Sequence, residues 1–213
     1  MKKQPSIPLW ISILAAVAMG AALLAIAAPR AADLQASPLW LASLARSVVA
    51  GFVLVFPNMA GIRLPAVLKW TGYGAAATLL AFSLQSVLNG SLVRLLGPDS
   101  ITQPIPALIL GAGAALCQTL GKYAAIRIGI LGAGFRSEPS VCLPIGLGVG
   151  LGFGICETFL LAIQQILTGG PVESLIGVLE RSSANGFHIY SAGLIAAGLA
   201  LRSPMPLVLA FTI

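Results

Sequence analysis

Six apolar runs, each long enough to cross a membrane as a helix, alternate with short polar segments along the chain. The runs cover approximately residues 7–28, 39–57, 68–90, 105–126, 141–168 and 175–201. A helix of roughly 20 residues spans the hydrocarbon core of a bilayer. A further apolar run begins at Pro204 and is too short to cross. This pattern predicts an all-α, polytopic transmembrane helix bundle of about six to seven helices, with residues 1–213 forming a single integral membrane domain.

The composition supports a membrane protein and excludes a soluble domain. Hydrophobic residues make up 58% of the chain and charged residues only 8%, whereas about a quarter of a soluble domain is charged. So few charges cannot solvate the surface of such a chain, so lipid must cover most of it. The net charge of +6 is therefore interpreted through the loops that carry it, and no nucleic-acid partner is expected.

The positive residues are distributed unevenly between the two sides of the predicted bundle. With the amino terminus in the cytoplasm, that side collects eight of them: Lys2, Lys3, Arg63, Lys69, Lys122, Arg127, Arg136 and Arg202. The opposite side collects Arg30 and Arg94. Because positive residues concentrate on the cytoplasmic side, we expect a multi-pass protein of the bacterial cytoplasmic membrane with its amino terminus inside. The first run, about 22 residues long, exceeds the apolar core of a signal peptide, so we expect it to be retained.

Glycines are concentrated in one of the predicted spans. Every second residue from Gly146 to Gly154 is glycine, a pattern typical of a face where membrane helices approach closely. No Gly-Lys-Ser/Thr follows, so a phosphate-binding loop is not indicated. The three cysteines have no metal-binding spacing, and we interpret them as small buried apolar residues.

A few ionisable residues fall inside the apolar spans, where they are costly and mark candidate functional positions. They are Arg46, Glu157, Glu180, Arg181 and the only histidine, His188. Counted from the outer ends of their spans at 1.5 Å per residue, Glu157 and His188 lie at a similar depth. Gln118 reaches the same level from the preceding span. Three helices are therefore expected to bring a carboxylate, an imidazole and an amide together.

Two interpretations of this cluster stay open on residue types alone. Carboxylate and imidazole are ordinary zinc donors, and a catalytic zinc acidifies a bound water. Alternatively, the residues form a hydrogen-bonded cluster that joins helices, with Glu157 neutral or paired to Arg181. Arg181 and His188 lie near one face of their helix, so Arg181 is also placed to neutralise an anionic group there.

At these positions the chain resembles the YhfC-like family of membrane proteins, which is related to the PrsW-type and CAAX-processing intramembrane metalloproteases. The family motif Phe-x-x-x-Glu is present at Phe153–Glu157. A Glu-Arg…His segment is present from Glu180 to His188, with Ala192 where the PrsW type has Asp. The motif Glu-Glu-x-x-Arg/Lys aligns with 118–122, where Gln and Thr replace both glutamates and Lys122 keeps the basic position. The resemblance covers about residues 105–200.

The resemblance implies a metallopeptidase centre, with zinc as its metal. It assigns Glu157, His188 and Gln118 to the catalytic position, with Glu157 and His188 as metal ligands. Lys122, Glu180 and Arg181 are the supporting residues. An amide and a hydroxyl cannot serve as a general base near neutral pH, and two protein ligands are few for zinc. The resemblance therefore implies a protease-like protein that is impaired or inactive and binds membrane segments or partner proteins.

Two functions of other classes remain as alternatives. Short loops and glycine-rich helices also suit a non-catalytic accessory or structural subunit of a larger membrane complex. In a transporter or channel, Glu157 and His188 would instead relay protons or ions. Expected partners are membrane lipid and other membrane proteins or transmembrane segments.

Overall fold

The computed structural model describes residues 61–97, 102–134, 138–168 and 171–212, with the side chains of 162–168, 171–183 and 211–212 outside this description. Within these residues there are five helices and no strand: α1 Leu64–Leu96, α2 Pro104–Gly132, α3 Pro139–Thr168, α4 Pro171–Leu201 and α5 Pro204–Thr212. The all-α prediction is confirmed. The prediction of six to seven helices is not, because the described part holds five, and the runs predicted at 7–28 and 39–57, with Arg46, lie outside it.

Proline marks the start of every described helix. Pro104, Pro139, Pro171 and Pro204 are the first residues of α2 to α5, and Pro65 is the second residue of α1. Proline suits the first turn because the amide proton that it lacks would have no partner within the helix there. Each described helix starts at or before the first residue of its predicted apolar run. Helices α1 and α2 also extend six residues beyond the predicted ends at 90 and 126.

Four of the described helices contain a segment long and apolar enough to cross a membrane. The segments are Leu64–Leu96, Pro104–Gly132, Pro139–Leu161 and Ala184–Leu201. Large apolar side chains also face outwards, with Leu95 82% and Leu108 73% exposed. A soluble protein rarely exposes apolar surface on this scale, so the structure supports an integral membrane protein. The last helix, α5, has nine residues and is too short to cross, as predicted.

Helix α3 lies at the centre of the described part, between α1 and α4, while α2 packs against α1 and also contacts α3, α4 and α5. The apolar core runs along this central helix. Its fully buried members include Ile145, Val149 and Phe153 of α3 and Ile195 of α4.

The glycines of α3 let its backbone touch its neighbours, as the sequence predicted. A methyl group added at Gly150 would lie 2.6 Å from the carbonyl oxygen of His188, and one at Gly154 would lie 2.8 Å from Cγ of Asn185. On another face of α3, a methyl group at Gly152 would lie 2.8 Å from Cα of Thr71. Real Cβ atoms do not approach other groups this closely, so only glycine allows this packing. The close contact of α3 with α4 sets the distance between Glu157 and His188.

Candidate functional site

Three helices each direct a pair of side chains, one helical turn apart, towards a common centre. Residues three or four apart lie on one face of a helix, so each pair faces the same neighbour. The pairs are Gln118 and Lys122 of α2, Phe153 and Glu157 of α3, and His188 and Ser191 of α4. We refer to these six residues as the polar centre.

The carboxylate of Glu157 joins all three helices. Gln118 Nε2 donates a hydrogen bond to Glu157 Oε1 at 3.0 Å. The other carboxylate oxygen, Oε2, is hydrogen-bonded to Nε2 of His188. Glu157 is only 4% exposed, so these partners replace the water that a carboxylate would otherwise bind.

Lys122 approaches His188 from the side opposite to Glu157. Its Nζ lies 3.5 Å from His188 Nδ1 and donates a hydrogen bond to Ser191 Oγ at 2.7 Å. The residue is 4% exposed. The sequence counted Lys122 among the cytoplasmic positive residues. The structure places its ammonium inside the described bundle, and the side of the membrane on which it lies stays a prediction.

Phe153 forms an apolar wall of the polar centre. Its ring centroid lies 4.9 Å from that of the His188 ring and 5.3 Å from Lys122 Nζ. An ammonium is attracted to the face of an aromatic ring at this distance. Behind Phe153, the single hydroxyl proton of Thr78 in α1 is shared between the carbonyl oxygens of Phe153, at 3.1 Å, and of Gly74, at 3.0 Å. Thr78 thus ties α1 to the part of α3 that carries the site.

A cavity of about 90 Å³ adjoins the polar centre between α2, α4 and α5. Its polar lining comes from Gln118, Thr119, Lys122, His188 and Ser191. Phe187, which is 58% exposed, also lines it, so the cavity reaches the outer face of α4. Sites for drug-sized ligands measure about 300 Å³ or more. This cavity is suited to water or one small polar group.

The metal donors at the polar centre do not fit a catalytic zinc. Among the described residues, no three or more His, Cys, Asp or Glu side chains lie close enough together to hold a metal ion. A catalytic zinc usually takes three protein ligands. The two predicted ligands, Glu157 and His188, are hydrogen-bonded to each other. The second ring nitrogen of His188 faces the Lys122 ammonium, which repels a cation.

The structure brings together most of the residues that the sequence singled out. Gln118, Glu157, His188 and the supporting Lys122 form one connected set of contacts. Glu180 and Arg181 lie in α4, and their side chains fall outside the description, so the suggested pairing of Arg181 with Glu157 stays a prediction.

Sequence reasoning missed the roles of Ser191 and Thr78. Ser191 follows His188 by three residues and therefore lies on the same face of α4, which was an available signal. Thr78 gave no such signal, because its importance depends on how α1 packs against α3. Cys117 and Cys142 are buried and Cys156 is partly buried, in line with their interpretation as small apolar residues.

Comparisons of the chain with protein-family models, with curated proteins and with solved structures found no match.

Proposed function

We propose that this chain is an intramembrane protein of the YhfC/PrsW type that keeps the polar centre of such proteases but is impaired or inactive in hydrolysis. The observation that supports this proposal is the convergence of the three motifs. Gln118 and Lys122 of the first motif, Glu157 of the second and His188 of the third come from three different helices and form one connected hydrogen-bonded set. Polar residues inside a membrane bundle pair with one another in any family, so the agreement between the residues that meet and the positions of the three motifs is what favours this type.

The chemistry of the first motif explains the proposed loss of hydrolysis. Where the related proteases have two glutamates, this chain has Gln118 and Thr119. The amide of Gln118 donates a hydrogen bond to Glu157. Thr119 Oγ1 donates to the carbonyl oxygen of Ala115 at 2.8 Å, which is a bond within its own helix. Neither group can take a proton from an attacking water near neutral pH.

Without hydrolysis, the scaffold would bind a transmembrane segment or a partner membrane protein without cutting it. The cavity between α2, α4 and α5 would admit one small polar group of such a segment to the polar centre, because Phe187, which lines it, is 58% exposed. We also propose a bacterial cytoplasmic membrane and a cytoplasmic amino terminus. With Lys122 removed from the count, seven positive residues still face two across the membrane.

Loss of hydrolysis is tested by zinc content and peptide cleavage in the purified full chain, with Glu157→Ala and His188→Ala as controls. We expect native protein to hold no stoichiometric zinc and to cleave no membrane-embedded test peptide. Zinc at one per chain that disappears in both variants, together with cleavage, would overturn the proposed impairment.

Kinship with the proteases is tested by restoring the glutamate pair. In the double variant Gln118→Glu, Thr119→Glu, a carboxylate at position 118 would stand beside Glu157 and His188, which completes a three-donor set of the type that binds zinc. We expect this variant to acquire stoichiometric zinc, and the isosteric Gln118→Met, Thr119→Val pair to acquire none. Equal zinc contents in the two double variants would count against the kinship.

A further inference from the structure

The contact between Lys122 and His188 determines where the imidazole carries its proton. An ammonium has three N–H donors and no acceptor, so the ring nitrogen that faces it must offer a lone pair. Lys122 Nζ faces Nδ1 of His188 at 3.5 Å. The ring proton of neutral His188 is therefore on Nε2, where it is donated to Oε2 of Glu157.

In this form His188 is a neutral bridge between two opposite charges. The carboxylate of Glu157 accepts from His188 on one side of the ring, and the ammonium of Lys122 donates to the ring on the other. An isolated charge in a medium of low dielectric constant costs several kcal/mol or more, so each charge depends on the other through the ring. A proton on Nδ1 would instead place an N–H against the ammonium and leave Glu157 without a donor from the histidine.

Ser191 is in a position to maintain this arrangement. Lysine has a flexible four-carbon side chain, and a contact of 3.5 Å with one ring nitrogen is a weak restraint by itself. The bond from Lys122 Nζ to Ser191 Oγ is much shorter, at 2.7 Å. Ser191 Oγ donates its own proton to the carbonyl oxygen of His188 at 3.2 Å, which leaves its lone pairs for the ammonium. The serine is 3% exposed, so water does not compete for it.

We propose that Ser191 is a positioning residue, which holds the Lys122 ammonium at Nδ1 of His188 and so keeps the imidazole in its Nε2–H form, donating to Glu157. This inference uses only contacts among described residues and does not depend on kinship with any protease. None of the three motifs assigns a role to position 191.

The single histidine of the chain makes the proposal directly measurable. In full-length protein labelled with ¹⁵N-histidine and reconstituted in lipid nanodiscs, both ring nitrogens belong to His188, and NMR distinguishes a protonated nitrogen from an unprotonated one. We expect a proton on Nε2 and none on Nδ1 in native protein.

In Ser191→Ala, loss of the hydroxyl should change the tautomer ratio about five-fold or more, the effect of losing one hydrogen bond. Ser191→Thr keeps the hydroxyl and should restore the native spectrum.

Ser83→Ala is the matched control, because the Ser83 hydroxyl is exposed and donates to Leu79 of its own helix. It should leave both ring signals unchanged. A native proton on Nδ1, or an unchanged His188 spectrum in Ser191→Ala, would overturn the proposal. If Ser191→Ala does not fold, Ser191→Cys, whose thiol is a weak acceptor, gives the same comparison, and an unchanged spectrum there has the same meaning. Zinc content and cleavage, which test the proposed function, are independent of this readout.

Discussion

Nζ of Lys122 lies 3.5 Å from Nδ1 of His188, although 66 residues separate the two in the chain. Nε2 of His188 is hydrogen-bonded to Glu157, and the Lys122 ammonium faces the other ring nitrogen, Nδ1. Lys122, His188 and Glu157 therefore depend on one another. Removing any one of them changes the partners that the other two have inside the membrane.

The charges of Lys122 and Glu157 should be coupled in stability even though the imidazole separates them. Each of Lys122→Met and Glu157→Gln leaves the opposite charge buried without compensation, which costs about 3–5 kcal/mol in buried pairs. The double variant removes both charges, so its destabilisation should be smaller than the sum of the single effects by about 1–3 kcal/mol. Denaturant unfolding in detergent micelles measures all four proteins of this cycle.

Lys69 provides the control for that cycle, because its side chain is exposed and its ammonium lies 5.6 Å from the Tyr73 ring. Lys69→Met combined with Glu157→Gln should show additive effects within about 0.5 kcal/mol. Additive effects in the Lys122 cycle as well would show that the bridge through His188 carries no charge coupling.

The depth of the site was predictable from sequence, and its detailed partners were not. The constant rise of an α-helix allowed Gln118, Glu157 and His188 to be placed at one level from their positions in the apolar runs alone. Lys122 lies within the predicted run 105–126 but was counted with the loop charges, because hydropathy does not show whether a lysine near the end of a run faces water or the polar side chains of a neighbouring helix. Its partner Ser191 lies on α4, 69 residues away in the chain, and the packing of α2 against α4 is not specified by hydropathy.

The role of Ser191 was not predictable, for a different physical reason. Serine occurs at many positions of membrane helices, where its hydroxyl bonds to the preceding turn of its own helix, as in Ser83 and Ser86. Only the rotation of α4 relative to α2 brings Ser191 to Lys122. That rotation depends on the close packing of α4 on α3 at Gly150 and Gly154. The glycine pattern predicts a packing face on α3 but does not specify which helix packs there or at what rotation.

Gln85 and Gln118 should respond oppositely to replacement by leucine. Gln118 donates to Glu157, so Gln118→Leu leaves a buried carboxylate oxygen without that donor and should destabilise the protein by about 1–3 kcal/mol. Gln85 has a buried Oε1 with no hydrogen-bond partner, so Gln85→Leu should be neutral or stabilising. Thermal unfolding of both variants in the same detergent measures the difference. Equal destabilisation would indicate that Gln118 contributes only its volume.

Thr78 should stabilise the bundle through its bond to the backbone of Phe153. Thr78→Val keeps the shape and loses the hydroxyl, and side-chain hydrogen bonds between membrane helices contribute about 0.6 kcal/mol on average and at most about 1.7. We expect a loss in this range for Thr78→Val. Ser86→Ala is the comparison, because its exposed hydroxyl donates to Phe82 of its own helix and its loss should change stability by less. If both variants lose the same stability, the contact of Thr78 with α3 has no specific effect.

Substitution of Gly150 by alanine should separate α3 from α4 and disturb His188. The added methyl group would meet backbone atoms, the carbonyl oxygen of His188 at 2.6 Å and Cα of Ile189 at 2.7 Å, and neither can move without shifting α4. Overpacking of this kind costs about 1–3 kcal/mol.

Gly186 is the matched control, since it lies in α4 two residues before His188 and a methyl group there meets nothing within 4 Å. Gly186→Ala should stabilise the protein by up to about 1 kcal/mol through helix propensity. Unfolding in micelles gives the stabilities, and the ¹⁵N signals of His188 report the site, which should move in Gly150→Ala and stay in place in Gly186→Ala. Unchanged stability and unchanged signals in Gly150→Ala would mean that α3 and α4 do not pack as closely as their glycines indicate.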